Sequence, residues 1–533
     1  MKKSLLLALF LTFGLLSLAQ EFPIKHSTIS EWEYDLSKWK EIEDVNINPI
    51  NLKANTQAGK GVWFTNSASQ MASKVGFNDV KISFQYMVGK ETKASLRVGS
   101  VAIDLSEKAA GDLYNGLKAS QNVSMAPGLW QHMSLIISRK GSNLLLEYIN
   151  LNEVLIQQNV FLPNNQDYKI VFENKTGPFA LKDVSLASYS DKKPISVNNI
   201  SYEIEDTFGW DKTFEIKGTP RVSGTTEILK PVPSVSSREF INYFKADLHV
   251  DIADTYAITL DYQGVCQLSI DGVPVVGSKE YIFRVPETKT IKLTPGKHQL
   301  ELRYQRIWWS PGFGIFVSGS DFRPYALHDP KSLPAKELVG GISIEEIAGI
   351  PKIIRGFIEF GKEKRTEVIS IGTPEQRHFS FDLSTASLLY AWKGKFADLT
   401  EMWFERGEPQ ILMPMGQSIA FLGKCPIVGK EAHFQEYYLD KNGIPTFNHT
   451  IDGALLSQKF EPTSSGLKVE IGSDDAKMEI LLSEKEGLQK LSESLYRSKD
   501  HYLKIANPKA IRISAEGQLM ANVNLLESYE IQW

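Results

Sequence analysis

Three side chains in the first quarter of the chain, Asp104, Tyr114 and His132, could give or take a proton. Acid–base work of that kind needs a second group facing the first. Asp104 lies in the alternating segment Ala102-Ile103-Asp104-Leu105, which puts Ala102 and Asp104 on one face of a strand and Ile103 and Leu105 on the other. Hydrolysis of a glycosidic bond by the usual route takes two carboxyl groups flanking the scissile bond. Asp104 is the one carboxylate this reading nominates, and its partner is not visible in the sequence. Structural readings stand beside these: Asp104 as a strand carboxylate facing water, His132 as a satisfied histidine near the start of a strand. Among the aromatics, Trp130 and the pair Trp308-Trp309 could present a ring to a sugar. Trp39 and Trp130 read more readily as core anchors, and adjacent rings such as Trp308 and Trp309 usually split, one inward and one outward.

The rest of the composition narrows the setting. A chain of 533 residues is too long for one core and calls for three or four domains. A formal net charge of −4, with no long block of one sign, argues against a nucleic-acid binder. Lys2 and Lys3 precede the apolar run from Leu5 to Leu18, which ends in Ser17-Leu18-Ala19. A positive start, a short apolar stretch and a small-residue site make a secretory signal peptide over 1–19. The mature chain is then exported, to the periplasm or beyond, with no membrane span after cleavage. Cys266 and Cys425 are the two cysteines; a disulfide is open to them, but two buried free thiols fit better. With no Cys-x-x-Cys and no Cys-x-x-Cys-His, covalent c-type haem and cysteine zinc sites are excluded.

The elements that must hold such residues read as strands. Val80 to Tyr86, Tyr256 to Leu260, Thr290 to Leu293 and Gln299 to Tyr304 alternate apolar and polar residues between turn signals. Helical spacing is sparse: Leu488, Leu491 and Leu495 suggest a helix over 484–499, and a second short one fits 343–348. Polar or proline-bearing stretches at 188–198 and 325–336 read as linkers. The expectation is an all-β, multidomain chain: a sandwich at 20–190, a second sandwich at 195–330, and a β-rich domain at 335–533 with a short helix.

Ordered motifs carry three resemblances. Asp35-Leu36-Ser37-Lys38-Trp39, Gly111-Asp112-Leu113-Tyr114-Asn115-Gly116, Pro127-Gly128-Leu129-Trp130 and the closing strand Phe179 to Val184 together resemble the 3-keto-disaccharide hydrolase family, which is similar to glycoside hydrolase family 16. The resemblance implies a concanavalin-like sandwich that binds glycans. It also implies a second route for a 3-keto sugar: elimination after proton abstraction beside the ketone, with Asp104, Tyr114 and His132 able to supply base and electrophile. Where the family carries Glu-Val-Gln-Ile, this chain has Ala102-Ile103-Asp104-Leu105.

Leu268-Ser269-Ile270-Asp271-Gly272 and the Pro295-Gly296-Lys297-His298 segment resemble the β-sandwich first named for the anthrax protective antigen. Carbohydrate-binding members hold calcium through neighbouring aspartates. Here the matching segment is Asp261-Tyr262-Gln263-Gly264, leaving Asp261 and Asp271 as the carboxylates for a divalent metal such as calcium. Asp271-Gly272 reads first as a tight hairpin turn. Finally, Phe379-Ser380-Phe381-Asp382, Leu389 to Phe396 and Tyr437 to Phe447 resemble the β-rich module beside exported bacterial cytochrome c and sugar dehydrogenase domains. That implies fold and company rather than redox activity, with Asp440 to Gly443 as a turn and Trp392 and Trp403 as core. Two functions follow as expectations: an exported hydrolase or lyase acting on glycosides, or a non-catalytic protein that binds a carbohydrate ligand on the same folds.

Overall fold

The computed structural model describes residues 31–533 apart from 52, 78, 100, 141–142, 164–168, 189–190, 208–221, 282–285, 307–311, 320, 334–340 and 404–409. The signal peptide and the Trp308-Trp309 pair lie outside the described residues. Among the described residues, no helix is long and apolar enough to cross a membrane.

The chain is all-β. Twelve strands build the N-terminal sandwich: β1 (Trp32–Tyr34), β2 (Lys40–Ile47), β3 (Ala54–Thr65), β4 (Ser69–Ser73), β5 (Val80–Val88), β6 (Lys93–Val98), β7 (Val101–Asp104), β8 (Gln131–Lys140), β9 (Asn143–Leu151), β10 (Val154–Pro163), β11 (Ile170–Thr176) and β12 (Phe179–Ser188). They form a five-stranded sheet in the order β1-β4-β11-β6-β7 and a seven-stranded sheet in the order β10-β9-β8-β5-β12-β3-β2. Period-two alternation decides which face is buried. In β5, Val80, Ile82, Phe84 and Tyr86 are buried while Lys81, Ser83 and Gln85 are half-buried. Phe84 of one sheet meets Phe172 of the other edge to face, with centroids 5.0 Å apart. Such a pair adds about 1 kcal/mol beyond area burial.

The described residues form two compact units: those of 187–339, and those of 26–186 together with 340–533. In the second of these, Met125 and Leu129 of the N-terminal sandwich share a core with Phe379, Phe381, Phe447, Phe460 and Trp533. Polar ties reinforce that seam. The Lys395 amide donates to Gln121 Oε1 at 2.8 Å and the Tyr502 hydroxyl to the Pro127 carbonyl at 2.9 Å. Gly128 is what lets the chain pass there. Its φ is +83°, and a Cβ would sit 2.2 Å from the Ile47 carbonyl oxygen and 2.6 Å from the Tyr502 hydroxyl. The Pro-Gly-x-Trp motif therefore has a structural duty in this chain.

The unit at 187–339 is a second sandwich around a core that includes Phe244, Tyr256, Tyr262, Cys266, Leu302 and Phe313. Its 17-residue strand Asp254–Ile270 pairs with Glu287–Leu293 and Gly312–Ser318 along its first half, and with Val273–Tyr281 and Gly296–Arg306 along its second. Described residues of the two stretches expected as linkers are held by contacts. A strand starts at Ile195, and the Tyr325 hydroxyl both donates to the Ile195 carbonyl and accepts from its amide. His328 and Leu333 are buried. Pro330 lies in a turn between them.

In the C-terminal part, a five-stranded and an eight-stranded antiparallel sheet face each other across the shared core. Neither expected helix forms. Residues 484–499 fold as a hairpin of Leu488–Ser492 and Leu495–Ser498. Leu491 and Leu495 are thus separated by a turn, and Gly487, at φ +74°, prevents a helix from starting upstream. Ser343–Ile344 is a short strand paired with Ala397–Asp398. Among the described residues, the α-helices are single turns at Thr400–Trp403 and Val523–Leu526. Asp440 to Gly443 forms the turn between His433–Leu439 and Pro445–Ile451. Trp392 is fully buried, but Trp403, read as core, is 56% exposed. It closes a one-turn helix with no buried residue.

Candidate functional site

Asp104 ends β7, the edge strand of the five-stranded sheet. Ile103 and Leu105 turn into the core, so Asp104 and Ala102 face outward, as alternation requires. Register extends that position into a polar row: Asp104 pairs with Ser95, Ser95 with Glu173, and Glu173 with Gln70. The two carboxylates stand two strand spacings apart, about 10 Å between Cα atoms. Ser95 Oγ lies 3.4 Å from Glu173 Oε2, and Gln70 Nε2 lies 3.4 Å from Oε1. Asp104 Oδ1 accepts the Ser106 amide at 2.7 Å, which fixes its side chain.

The loop after β7 folds back along that strand. Gly111, at φ +89°, makes the reversal, and its amide donates to the Asp104 carbonyl at 2.8 Å. The Tyr114 amide donates to the Ala102 carbonyl at 3.0 Å. Tyr114 is consequently set beside the row, 50% exposed. Burial, then the negative charge of Asp104, push its phenol above the ordinary value; a hydrogen bond with Ser95 opposes the rise and Glu173 adds to it. Both carboxylates therefore act on one phenol, which stays protonated. The Lys175 ammonium lies 5.4 Å from the Tyr114 ring centre.

His132 is not part of this row. It sits on β8 in the seven-stranded sheet, where it contacts Ser83 and Glu153. Trp130 is half-buried against a small cluster containing Val62, Phe64 and Met87. Lys182 Nζ lies 4.3 Å from its ring centre and occupies the face a sugar would use. Trp39, by contrast, is a core residue.

Asp261 and Asp271 are not brought together. Asp261 is buried mid-strand opposite Gly314. Asp271 lies ten residues on, about 30 Å along an extended chain. Asp271 and Gly272 have φ values of +51° and +76° and turn the hairpin between Ile270 and Val273. The Asp271 carboxylate bonds His298 Nδ1 at 2.7 Å and the Gln299 amide at 2.8 Å. That bond lowers the Asp271 carboxyl and, with the Thr294 carbonyl, raises the His298 imidazole. Among the described residues, no group of three or more His, Cys, Asp or Glu side chains is placed to hold a metal ion. Cys266 and Cys425 are free.

The sequence reading missed Glu173 and Ser95. Glu173 follows the apolar run Ile170-Val171-Phe172 and stands out as its polar break. Nothing in the sequence pairs it with Asp104, because strands separated by more than sixty residues meet only through the register of β6.

No family model matches the chain, and no curated protein does. Solved structures give weak similarities. One is described as "Putative glycosyl hydrolase from Parabacteroides distasonis" (14% identity, 30% of this chain and 94% of that one, TM-score 0.23). Another is an anti-sigma factor domain-containing protein (13% identity, 55% and 90%, TM-score 0.22). A third is the GH31 alpha-xylosidase of Xanthomonas citri (10% identity, 57% and 26%, TM-score 0.20). At these scores the similarities carry no argument about fold or function.

Proposed function

We propose that this chain is an exported carbohydrate-active protein whose N-terminal sandwich cleaves glycosides, 3-keto-modified ones included, at the outward row of the five-stranded sheet. The observation that carries the reading is the placement of Asp104 and Glu173 in register on either side of Ser95, with the Tyr114 phenol beside both. It stands with the family resemblance of the motifs around them. Two acidic positions separated by two strand spacings, about 10 Å between Cα atoms, leave room for direct displacement by water, in which one carboxyl protonates the departing oxygen and the other activates the water. A pair forming a covalent glycosyl intermediate would stand at about 5 Å. On a 3-keto sugar, one carboxylate of the row takes the proton beside the ketone and the protonated Tyr114 donates to the developing enolate oxygen.

The test is sugar release by the purified mature protein from a panel of glycosides and their 3-keto derivatives. Release that disappears in Asp104→Asn places the chemistry in the row. Saturable glycan binding with no release from any substrate would make the protein a binder on the same fold.

A further inference from the structure

The seven-stranded sheet carries a second constellation on its outward face. Ser83 Oγ lies 2.8 Å from His132 Nε2, and His132 Nδ1 lies 2.7 Å from Glu153 Oε1. A carboxylate only accepts, so Nδ1 of the neutral imidazole carries the hydrogen and Nε2 is left to accept from the Ser83 hydroxyl. That is the proton arrangement of a serine nucleophile with its base and the group orienting the base.

The surrounding chain holds the imidazole in place. Asn152 and Glu153 form the two-residue turn between β9 and β10, with φ values of +50° and +65°. Asparagine tolerates that conformation; glutamate rarely adopts it, and glycine is the usual occupant. The turn is strapped to the base from both sides. The Asn152 amide donates to the His132 carbonyl at 2.8 Å, and Asn152 Oδ1 accepts the His132 amide at 3.0 Å. Asn152 Nδ2 donates to the Val123 carbonyl at 2.9 Å. A glutamate held in a glycine conformation and aimed at a histidine is strain with a direction. Gln85 lies directly across from His132 in register and two residues from Ser83 on the same face. Its carboxamide nitrogen donates to Asp183 Oδ2 at 3.1 Å and keeps a second hydrogen for another acceptor.

We propose that Ser83, His132 and Glu153 form a second catalytic centre, independent of the Asp104 row, that hydrolyses O-acyl esters of small hydroxylated molecules. Ser83 Oγ bonds to the acyl carbon as its proton passes to His132 Nε2. The bond from that carbon to the leaving alkoxide oxygen breaks, and Nε2 returns the proton to that oxygen. Water oxygen then bonds to the acyl carbon as its proton passes to Nε2, the bond from that carbon to Ser83 Oγ breaks, and Nε2 returns the proton to Oγ. Alcohol and carboxylic acid leave, with no redox partner required. Gln85 donates to the carbonyl oxygen while it is negative. Glu153 touches no reacting atom and is a positioning residue.

The experiment treats the full mature chain with p-nitrophenyl acetate and, separately, with a fluorophosphonate followed by peptide mass mapping. The expected results are turnover above the buffer rate and a phosphonyl adduct on Ser83. Ser83→Ala and His132→Gln should bring turnover to background. Glu153→Gln should lower kcat about tenfold and move the acid limb of the pH–rate profile, which loss of a merely structural contact would not do. Glycoside release should be unchanged in Ser83→Ala, so the two centres fail separately. No adduct on Ser83 in the wild-type chain, or ester turnover undiminished in Ser83→Ala, overturns the proposal.

Discussion

On the outward face of the five-stranded sheet, Asp104 and Glu173 stand apart with Ser95 between them; on the seven-stranded sheet, Ser83, His132 and Glu153 touch one after another. Both rest on the same alternating strands around one core. The difference lies in what fills the space between the functional groups. A gap of two strands leaves room for a substrate between two acids, whereas a chain of hydrogen bonds holds a base against a nucleophile. The same sheet geometry supports either, depending on whether polar residues fall on alternate or adjacent strands.

The comparison breaks most sharply at the open row. Glu173→Gln and Asp104→Asn should each lower glycoside cleavage about a thousandfold with substrate binding retained, measured as kcat and KM separately. Both faces also depend on a common scaffold. Gly128→Ala puts a Cβ against the Ile47 carbonyl in a left-handed conformation. The expected loss is about 3 kcal/mol in urea unfolding, with both activities falling together.

Acid stability separates titration of the sites from loss of the scaffold. Burial holds the imidazoles of His378 and His501 down at about 4. His378 accepts the Thr373 amide and contacts the Gly394 carbonyl, while His501 Nε2 is buried with no hydrogen-bond partner among the described residues. The unfolded chain therefore binds more protons than the folded one between roughly pH 6.5 and 4, and stability falls as pH drops through that window. Each histidine contributes on the order of 2 kcal/mol to the fall. His501→Phe should flatten the decline of the urea midpoint. The smallest effect expected is at Tyr114. Removing the half-exposed phenol in Tyr114→Phe should slow glycoside cleavage about tenfold and leave unfolding within about 0.5 kcal/mol.

Local pattern made much of this legible. Alternation gave the strands at Val80–Val88 and Gly296–Arg306, and Asp-Gly gave the turn at Asp271. Asp104 and Tyr114 meet because the loop from Gly111 doubles back on β7. Leucine spacing misled at 484–499, where i, i+3 and i+7 positions fall on two strands of a hairpin rather than one helix. Glu173 and Ser83 were silent because each acquires its chemistry from a strand distant in sequence. A register between such strands is set by the packing of both faces, which no single segment records.

The most direct test of the account is the anomeric configuration of the first sugar released, followed by proton NMR in the opening minutes of the reaction. The row predicts inversion, because Asp104 and Glu173 stand two strand spacings apart, about 10 Å between Cα atoms, which leaves room for an attacking water, and no release from Glu173→Gln. A retained anomer, or release from Glu173→Gln at the wild-type rate, would contradict it.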